Sequence, residues 1–256
     1  MMNPSNNPED FLKNIHLFTD VSPLQAEIVI TRFNESLEWT KDIAHLCTVY
    51  NKGNEPLPSY FFNKVISTPN KGLGIETILR HIILNYNSLA FTTFFCQGMI
   101  LDRTDQPLYP LEWYLLNQTS TAFKGVENTL YDSANFRITE KVKDNESLRA
   151  VNERSLEKFR KDVIGMPYRL GIDKWVKGDW FSIGSKKIRQ KPIEYYMSIY
   201  IRCQFHRGKI IEELWYLERC YHSIFNRSIE PYFKFIPSLE EQQKLLEYLA
   251  EVSDKN

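Results

Sequence analysis

The stretch that decides the fold is Glu27-Ile28-Val29-Ile30-Thr31-Arg32-Phe33-Asn34-Glu35, read together with Leu46-Cys47-Thr48-Val49-Tyr50-Asn51-Lys52-Gly53. Residues 27–33 and 46–50 are short runs dense in β-branched and apolar side chains, the pattern of strands buried on both faces. Asn34-Glu35 closes the first run, and Ser36 stands where it can cap a helix carrying Leu37, Trp39 and Ile43. Asn51-Lys52-Gly53 closes the second as a turn. Strand, helix and strand in such a short span form a βαβ unit, which requires parallel pairing.

Working outward, the pattern repeats. Beyond the proline-rich stretch 54–69, the loop Asn70-Lys71-Gly72-Leu73-Gly74 leads into a helix from Ile75 to Tyr86, with Ile75, Ile78, Leu79, Ile82 and Ile83 on its apolar face. Phe91-Thr92-Thr93-Phe94-Phe95-Cys96 reads as a third strand ending at Gln97-Gly98, and Pro110 opens a short helix through Leu116. Residues 137–162 carry 8 basic and 6 acidic side chains around Leu148, Val151, Phe159 and Val163, which predicts a solvated amphipathic helix. A loop with aromatic residues at 175–181 feeds a strand at Trp180–Ile183. Three helices follow: one after Pro192, one from Ile210 to Phe225, and one from Ser238, where Glu241 completes a capping box. Residues 1–26 are polar and proline-punctuated and are expected to be a loosely held leader, with 27–256 as a single α/β domain.

The order of elements predicts a three-layer α/β domain: a Rossmann-like, mostly parallel sheet with a helical C-terminal third. Such sheets bind ligands outside the carboxyl ends of their strands, at the point where strand order reverses. Arg32-Phe33-Asn34-Glu35, Asn51-Lys52-Gly53 and Gln97-Gly98 all fall at such ends.

Composition removes several function classes. The chain has 32 Lys+Arg against 32 Asp+Glu, so it lacks the basic footprint of a nucleic-acid binder or of an electrostatic membrane anchor. Its 16 Phe, 14 Tyr and 5 Trp against only 10 Gly exclude disordered and fibrous classes. The N-terminus has no signal-peptide pattern, and no apolar run reaches the roughly 18–20 residues of a membrane span, which together predict a cytoplasmic protein. Cys47, Cys96, Cys203 and Cys220 form no C-x-x-C pair and read as reduced, buried thiols. Neither a P-loop, a G-x-G-x-x-G turn nor a G-x-S-x-G elbow is present.

Five motifs in order carry a resemblance: Arg32-Phe33-Asn34-Glu35, Tyr50-Asn51-Lys52-Gly53, Asn70-x-Gly72, Phe95-Cys96-Gln97-Gly98, and Glu218-x-x-Tyr221-His222-x-Ile224-Phe225. They span residues 27–226 and resemble an uncharacterised domain family of fungi, bacteria and large DNA viruses. The family's pattern departs from this chain at two places. It has Arg-Glu where Leu73-Gly74 stand, and Trp where Tyr221 stands. The family is similar to glycosyltransferases of the GT-A fold, and the resemblance implies a nucleotide-sugar enzyme of glycan biosynthesis, including in viral members.

That implication assigns expectations to residues. A transferase holds its nucleotide, neutralises the departing diphosphate and, if inverting, deprotonates the acceptor hydroxyl. Arg32, Phe33, Asn34, Glu35, Lys52, Gly72, Gln97, Gly98 and Arg189 become candidates for the nucleotide-sugar, with Arg32, Lys52 and Arg189 as the cations. Glu218 is the candidate general base, with His222 four residues on along one helix face to orient it. Trp180 and Phe181 either stack on an acceptor sugar or fill the core. No Asp-x-Asp occurs, so a Mn²⁺ or Mg²⁺ ion has only Asp102, near Asp105, as a candidate ligand; the spacing suits a solvated loop better than a shared ion, and metal-independent transfer, with Lys or Arg neutralising the diphosphate, is open. The expected partners are a nucleotide-sugar, a UDP-sugar such as UDP-xylose, and a glycan or glycoprotein acceptor. The alternatives are a glycan-binding or scaffold protein that has lost catalysis, and a hydrolase built on paired carboxylates such as Glu35 and Glu218.

Overall fold

The computed structural model describes residues 4–102, 108–116, 118–129, 148–149, 155–166, 174–203, 210–228 and 236–251. Four strands come first: β1 (Ala26–Arg32), β2 (Cys47–Asn51), β3 (Lys64–Ser67) and β4 (Thr92–Gln97). They are followed by β5 (Phe123–Thr129), β6 (Leu148–Arg149), β7 (Lys174–Gly184) and β8 (Ile210–Ile211). The main sheet has the order β3-β2-β1-β4-β7-β5, and β6 pairs with β8 separately. The first four strands run parallel, while β7 is antiparallel to both β4 and β5. The result is an α/β fold on a mixed, mostly parallel six-stranded sheet.

Side-chain alternation along the strands explains why both faces are buried. Val29, Tyr50, Phe95 and Phe181 belong to one core cluster, and Ile28, Ile30, Val49, Phe94, Cys96 and Trp180 belong to the other. The register keeps like with like: Val29 lies opposite Phe95, and Phe95 opposite Phe181.

The helices are α1 (Pro8–Leu12), α2 (Leu73–Asn85), α3 (Leu111–Leu115), α4 (Leu156–Phe159), α5 (Ser185–Ile188), α6 (Ile193–Cys203), α7 (Glu212–Glu218), α8 (Tyr221–Asn226) and α9 (Leu239–Glu251). The expected apolar face of α2 is buried in the first cluster, together with side chains of α6, α7, α8 and α9. Each fully buried Ile or Leu there contributes about 1.5–3 kcal/mol relative to exposure. The capping box of α9 forms as expected: Glu241 N donates to Ser238 Oγ at 3.2 Å, and Ser238 N donates to Glu241 Oε2 at 2.8 Å.

Several expectations need correction. The segment after β1 is not an α-helix capped by Ser36 but a run of 3₁₀ turns, Glu38–Leu46. Ser36 Oγ accepts instead from Glu38 N, at 3.3 Å. The proline-rich stretch contains the edge strand β3. The aromatic loop at 175–181 is the first half of β7. The Ile210–Phe225 helix is broken, with Arg219 and Cys220 forming the turn between α7 and α8. Within the charge run, α4 continues as one wide turn, Arg160–Ile164, and Arg160 is buried, with Nη2 donating to Ser223 Oγ at 2.7 Å. Residues 137–147 and 150–154 of that run lie outside the described residues. Within residues 4–26, expected to be loose, Phe11 and Phe18 are buried in the second cluster, and Ser5 pairs with Leu108.

Candidate functional site

The sheet order places β1 between β2 and β4. The chain leaves β1 toward β2 on one side and, through α2, returns to β4 on the other. Open α/β sheets bind ligands at such a reversal, which here falls at the carboxyl ends of β1 and β4. Gly98 N donates to Thr31 O at 2.9 Å and Trp39 Nε1 donates to Gly98 O at 3.2 Å, which fixes the two strand ends together.

Arg32 is buried at these strand ends, and its guanidinium is spent on the protein itself. Nε donates to Glu35 O at 2.8 Å, Nη1 to Asn51 Oδ1 and Glu55 O at 2.8 Å each, and Nη2 to Pro56 O at 3.1 Å. The planar fork thereby ties the loop after β1 to the loop after β2. Asn34 and Phe33 remain exposed above it. Asn34 has a φ of 96°, a left-handed conformation that Asn tolerates better than most residues. Its Oδ1 accepts from Glu55 N at 2.9 Å, and Gly53 is small because a Cβ there would stand 2.0 Å from that oxygen. Glu35 folds back so that its carboxylate accepts from Phe33 N.

Lys52 is likewise a structural cation. Its buried ammonium donates to Lys71 O at 2.7 Å, Leu73 O at 2.8 Å and Glu76 Oε2 at 2.8 Å, so all three protons are used. These bonds hold an unusual helix start. Gly72 (φ 65°) and Leu73 (φ 47°) are both left-handed, and no side chain caps α2. Burial alone would raise the Glu76 pKa, but the Lys52 and Arg80 charges outweigh it and hold the carboxyl below the usual range. Arg80 bonds Glu76 Oε1 at 2.7 Å and Leu249 O at 2.9 Å, and Tyr200 donates to Glu76 at 2.6 Å. The start of α2 is thus anchored through to α6 and α9.

The residue that the sequence did not offer is Asp179, on β7. Because β7 runs antiparallel to β4, its early residues lie beside the carboxyl end of β4. Gln97 Nε2 donates to Asp179 Oδ2 at 3.2 Å, and Tyr221 OH donates to Oδ1 at 2.8 Å. The same carboxylate lies against Gly74 in the first turn of α2. Next to it, Gly178 N donates to Glu218 Oε1 at 2.8 Å, and Glu218 Oε2 faces Arg219 Nη1 at 3.9 Å. Burial foremost, then the Glu218 charge, pushes the Asp179 carboxyl up to about 6. A buried carboxylate beside a second carboxylate, at a strand end, is the arrangement that general acid–base chemistry uses.

The remaining expected site residues divide. Gln97, Gly98, Gly72, Glu218 and the Arg32–Glu35 turn meet at this end of the sheet. Arg189 does not: it follows α5, beyond Gly184, which pairs with Thr92 at the amino end of β4, and its Nε donates to Tyr86 O at 3.0 Å. Trp180 and Phe181 are buried on opposite faces of β7, so they fill the core and cannot stack on an acceptor sugar. His222 lies beyond the helix break and packs its ring against Phe123, at 6.2 Å between centroids. It therefore does not share a helix face with Glu218. Asp102 is exposed in a single turn, Ile100–Asp102, and Asp105 lies outside the described residues. Among the described residues no group of His, Cys, Asp and Glu is arranged to hold a metal ion, and no helix is long and apolar enough to cross a membrane. All four cysteines are buried.

The carboxyl-end site is therefore a turn held by Arg32, a helix start held by Lys52, and the Asp179–Glu218 pair between β7 and α7. No family model, curated protein or solved structure matches the chain.

Proposed function

We propose that the protein transfers a sugar from a nucleotide-sugar, a UDP-sugar in the first instance, to a hydroxyl of a glycan or glycoprotein. The fold in this reading is the three-layer, Rossmann-like arrangement of the GT-A type. The single observation that carries it is the crowding of Gln97, Asp179, Glu218 and the start of α2 at the carboxyl ends of the strands, where an open α/β sheet binds its ligand. The turn at Phe33-Asn34-Glu35, exposed at its first two residues, offers an aromatic face and an amide for base and ribose. Since Arg32 and Lys52 are spent and Arg189 is at the far end, the first-turn amides of α2, uncapped by any side chain, take the diphosphate in this reading. The acceptor's proton goes to a carboxylate of the Asp179–Glu218 pair, of which Glu218 is the member that the sequence resemblance names.

A second reading has one observation in its favour. Both site cations are consumed by protein carbonyls and carboxylates, as in a fold that binds a glycan without catalysis.

A thermal-shift series with UDP, GDP and CMP, each with and without Mn²⁺, separates the two readings. A nucleotide at 100 times its dissociation constant stabilises the native state by about 2.7 kcal/mol, a rise of several degrees. A flat series with all three nucleotides would contradict the transferase.

A further inference from the structure

The two carboxylates of the site are not equivalent. Glu218 Oε1 is bound by the Gly178 amide and Oε2 faces the Arg219 guanidinium, so its charge is met on both oxygens. Among the described residues the donors to Asp179 are neutral, the Tyr221 hydroxyl and the Gln97 amide. Lys52, a cation whose field reaches it, spends its protons on Lys71, Leu73 and Glu76. Gly74, on α2, faces Asp179 without a side chain. The groups around Asp179 are thus Gln97 from β4, Lys52 beyond β2, Gly74 from α2, Glu218 from α7 and Tyr221 from α8.

We propose that Asp179, rather than Glu218, takes the proton of the acceptor hydroxyl, and that Glu218 is a positioning residue which holds the Gly178–Asp179 backbone in place. The assignment rests on the transferase reading. In the step, the acceptor O–H bond breaks and its proton passes to Oδ2 of Asp179. The acceptor oxygen forms a bond to the anomeric carbon of the donor. The bond from that carbon to the diphosphate breaks, and its electron pair leaves on the diphosphate oxygen. Gln97, which bonds Oδ2 and is half-buried at the strand end, is the group that the acceptor displaces. The upward shift of the Asp179 carboxyl to about 6 suits a base working near neutrality.

The test is UDP release from UDP-xylose and UDP-glucose, with water as acceptor, across pH 4.5 to 8.5, for the wild type, Asp179→Asn and Glu218→Gln. The wild type should lose kcat/KM below about pH 6, the value to which Asp179 is raised. Asp179→Asn should lose about 10²–10⁴-fold in kcat with UDP affinity within about twofold of wild type. Glu218→Gln should keep turnover within about tenfold and shift the acid limb to lower pH, because the neighbouring negative charge is gone. A purely structural role for Glu218 would not move that limb. An active Asp179→Asn, or a dead Glu218→Gln with an unshifted Asp179, overturns the assignment while leaving the transferase standing. A wild type that neither binds UDP nor releases it overturns both. Should Asp179→Asn fail to fold, carboxyl-carbon NMR of the wild type decides: an Asp179 resonance titrating near 4 instead of near 6 overturns the proposal.

Discussion

Gly74 and Asp179 share one small volume: a Cβ built on Gly74 would stand 2.0 Å from Oδ2 of Asp179. Gly74 lies in the first turn of α2 without a positive φ, so on helix propensity alone Ala would stabilise it by up to about 1 kcal/mol. The crowding reverses that sign. Gly74→Ala should destabilise by about 1–3 kcal/mol, read by urea denaturation, and the cost should shrink in an Asp179→Ala background. Equal costs in the two backgrounds would mean that the two residues do not compete for space.

Asp179 also gives stability a pH signature. Its folded pKa, raised to about 6, exceeds the unfolded value of about 3.9. Between those values the native state binds more protons than the unfolded chain, so this group's contribution falls as pH rises. Above pH 6 the ionised carboxylate costs roughly 3 kcal/mol. Asp179→Asn should therefore gain roughly that much on wild type between pH 4 and pH 7. Glu76, held below the usual range, acts oppositely: its stabilisation is present above the unfolded value of about 4.3 and is lost as pH falls through its lower folded pKa. Denaturation curves of the Asp179 pair at the two pH values check the first claim, and a difference independent of pH would contradict it.

Arg32 should behave as a structural residue. Arg32→Lys keeps the charge but cannot reach Glu35, Asn51, Glu55 and Pro56 with one ammonium. Hydrogen bonds to a charged group contribute about 1.5–3 kcal/mol each, so a loss of at least 2 kcal/mol is expected in chemical denaturation. A stable Arg32→Lys protein with weakened UDP binding would instead mark Arg32 as a ligand cation.

Phe181→Ala should cost about 3–5 kcal/mol, as for a buried aromatic, because Phe95, Phe123, Tyr221 and Phe225 all pack on its ring. Its melting temperature should fall, with no selective change among acceptor sugars. Loss of acceptor specificity at unchanged stability would return Phe181 to the site.

The parts of the fold legible in sequence are those with strong local pattern. Strands β1, β2 and β4 are continuous apolar runs, and α2, α6 and α9 have a clear apolar period, a proline start or a capping box. The edge strand β3 was hidden because only Ile66 of its four residues is buried. The pairing of β5 with β7 is hidden by glycines: Gly178 has a φ of 69° and the register slips between Gly125 and Glu127, so the first half of β7 reads as a loop and β5 carries no clear strand pattern. This concealed Asp179, since Lys177-Gly178-Asp179 looks like a turn and only the antiparallel register brings it to Gln97. The break at Arg219-Cys220 carries neither Gly nor Pro, and so His222 was assigned to the wrong face. The strand-end motifs were placed at the right end of the sheet by topology, but whether Arg32 and Lys52 were free to bind depended on loop carbonyls that no local pattern records.

The most direct test of a nucleotide site at the carboxyl ends is an amide chemical-shift titration of the ¹⁵N-labelled protein with UDP. Binding there should move the amides of Phe33, Asn34 and Glu35, of Gly74 and Ile75 in the first turn of α2, and of Gly98. The amides around Arg189, at the amino end, should stay still. Shifts confined to the Arg189 end, or none at millimolar UDP, would contradict the site and the transferase with it.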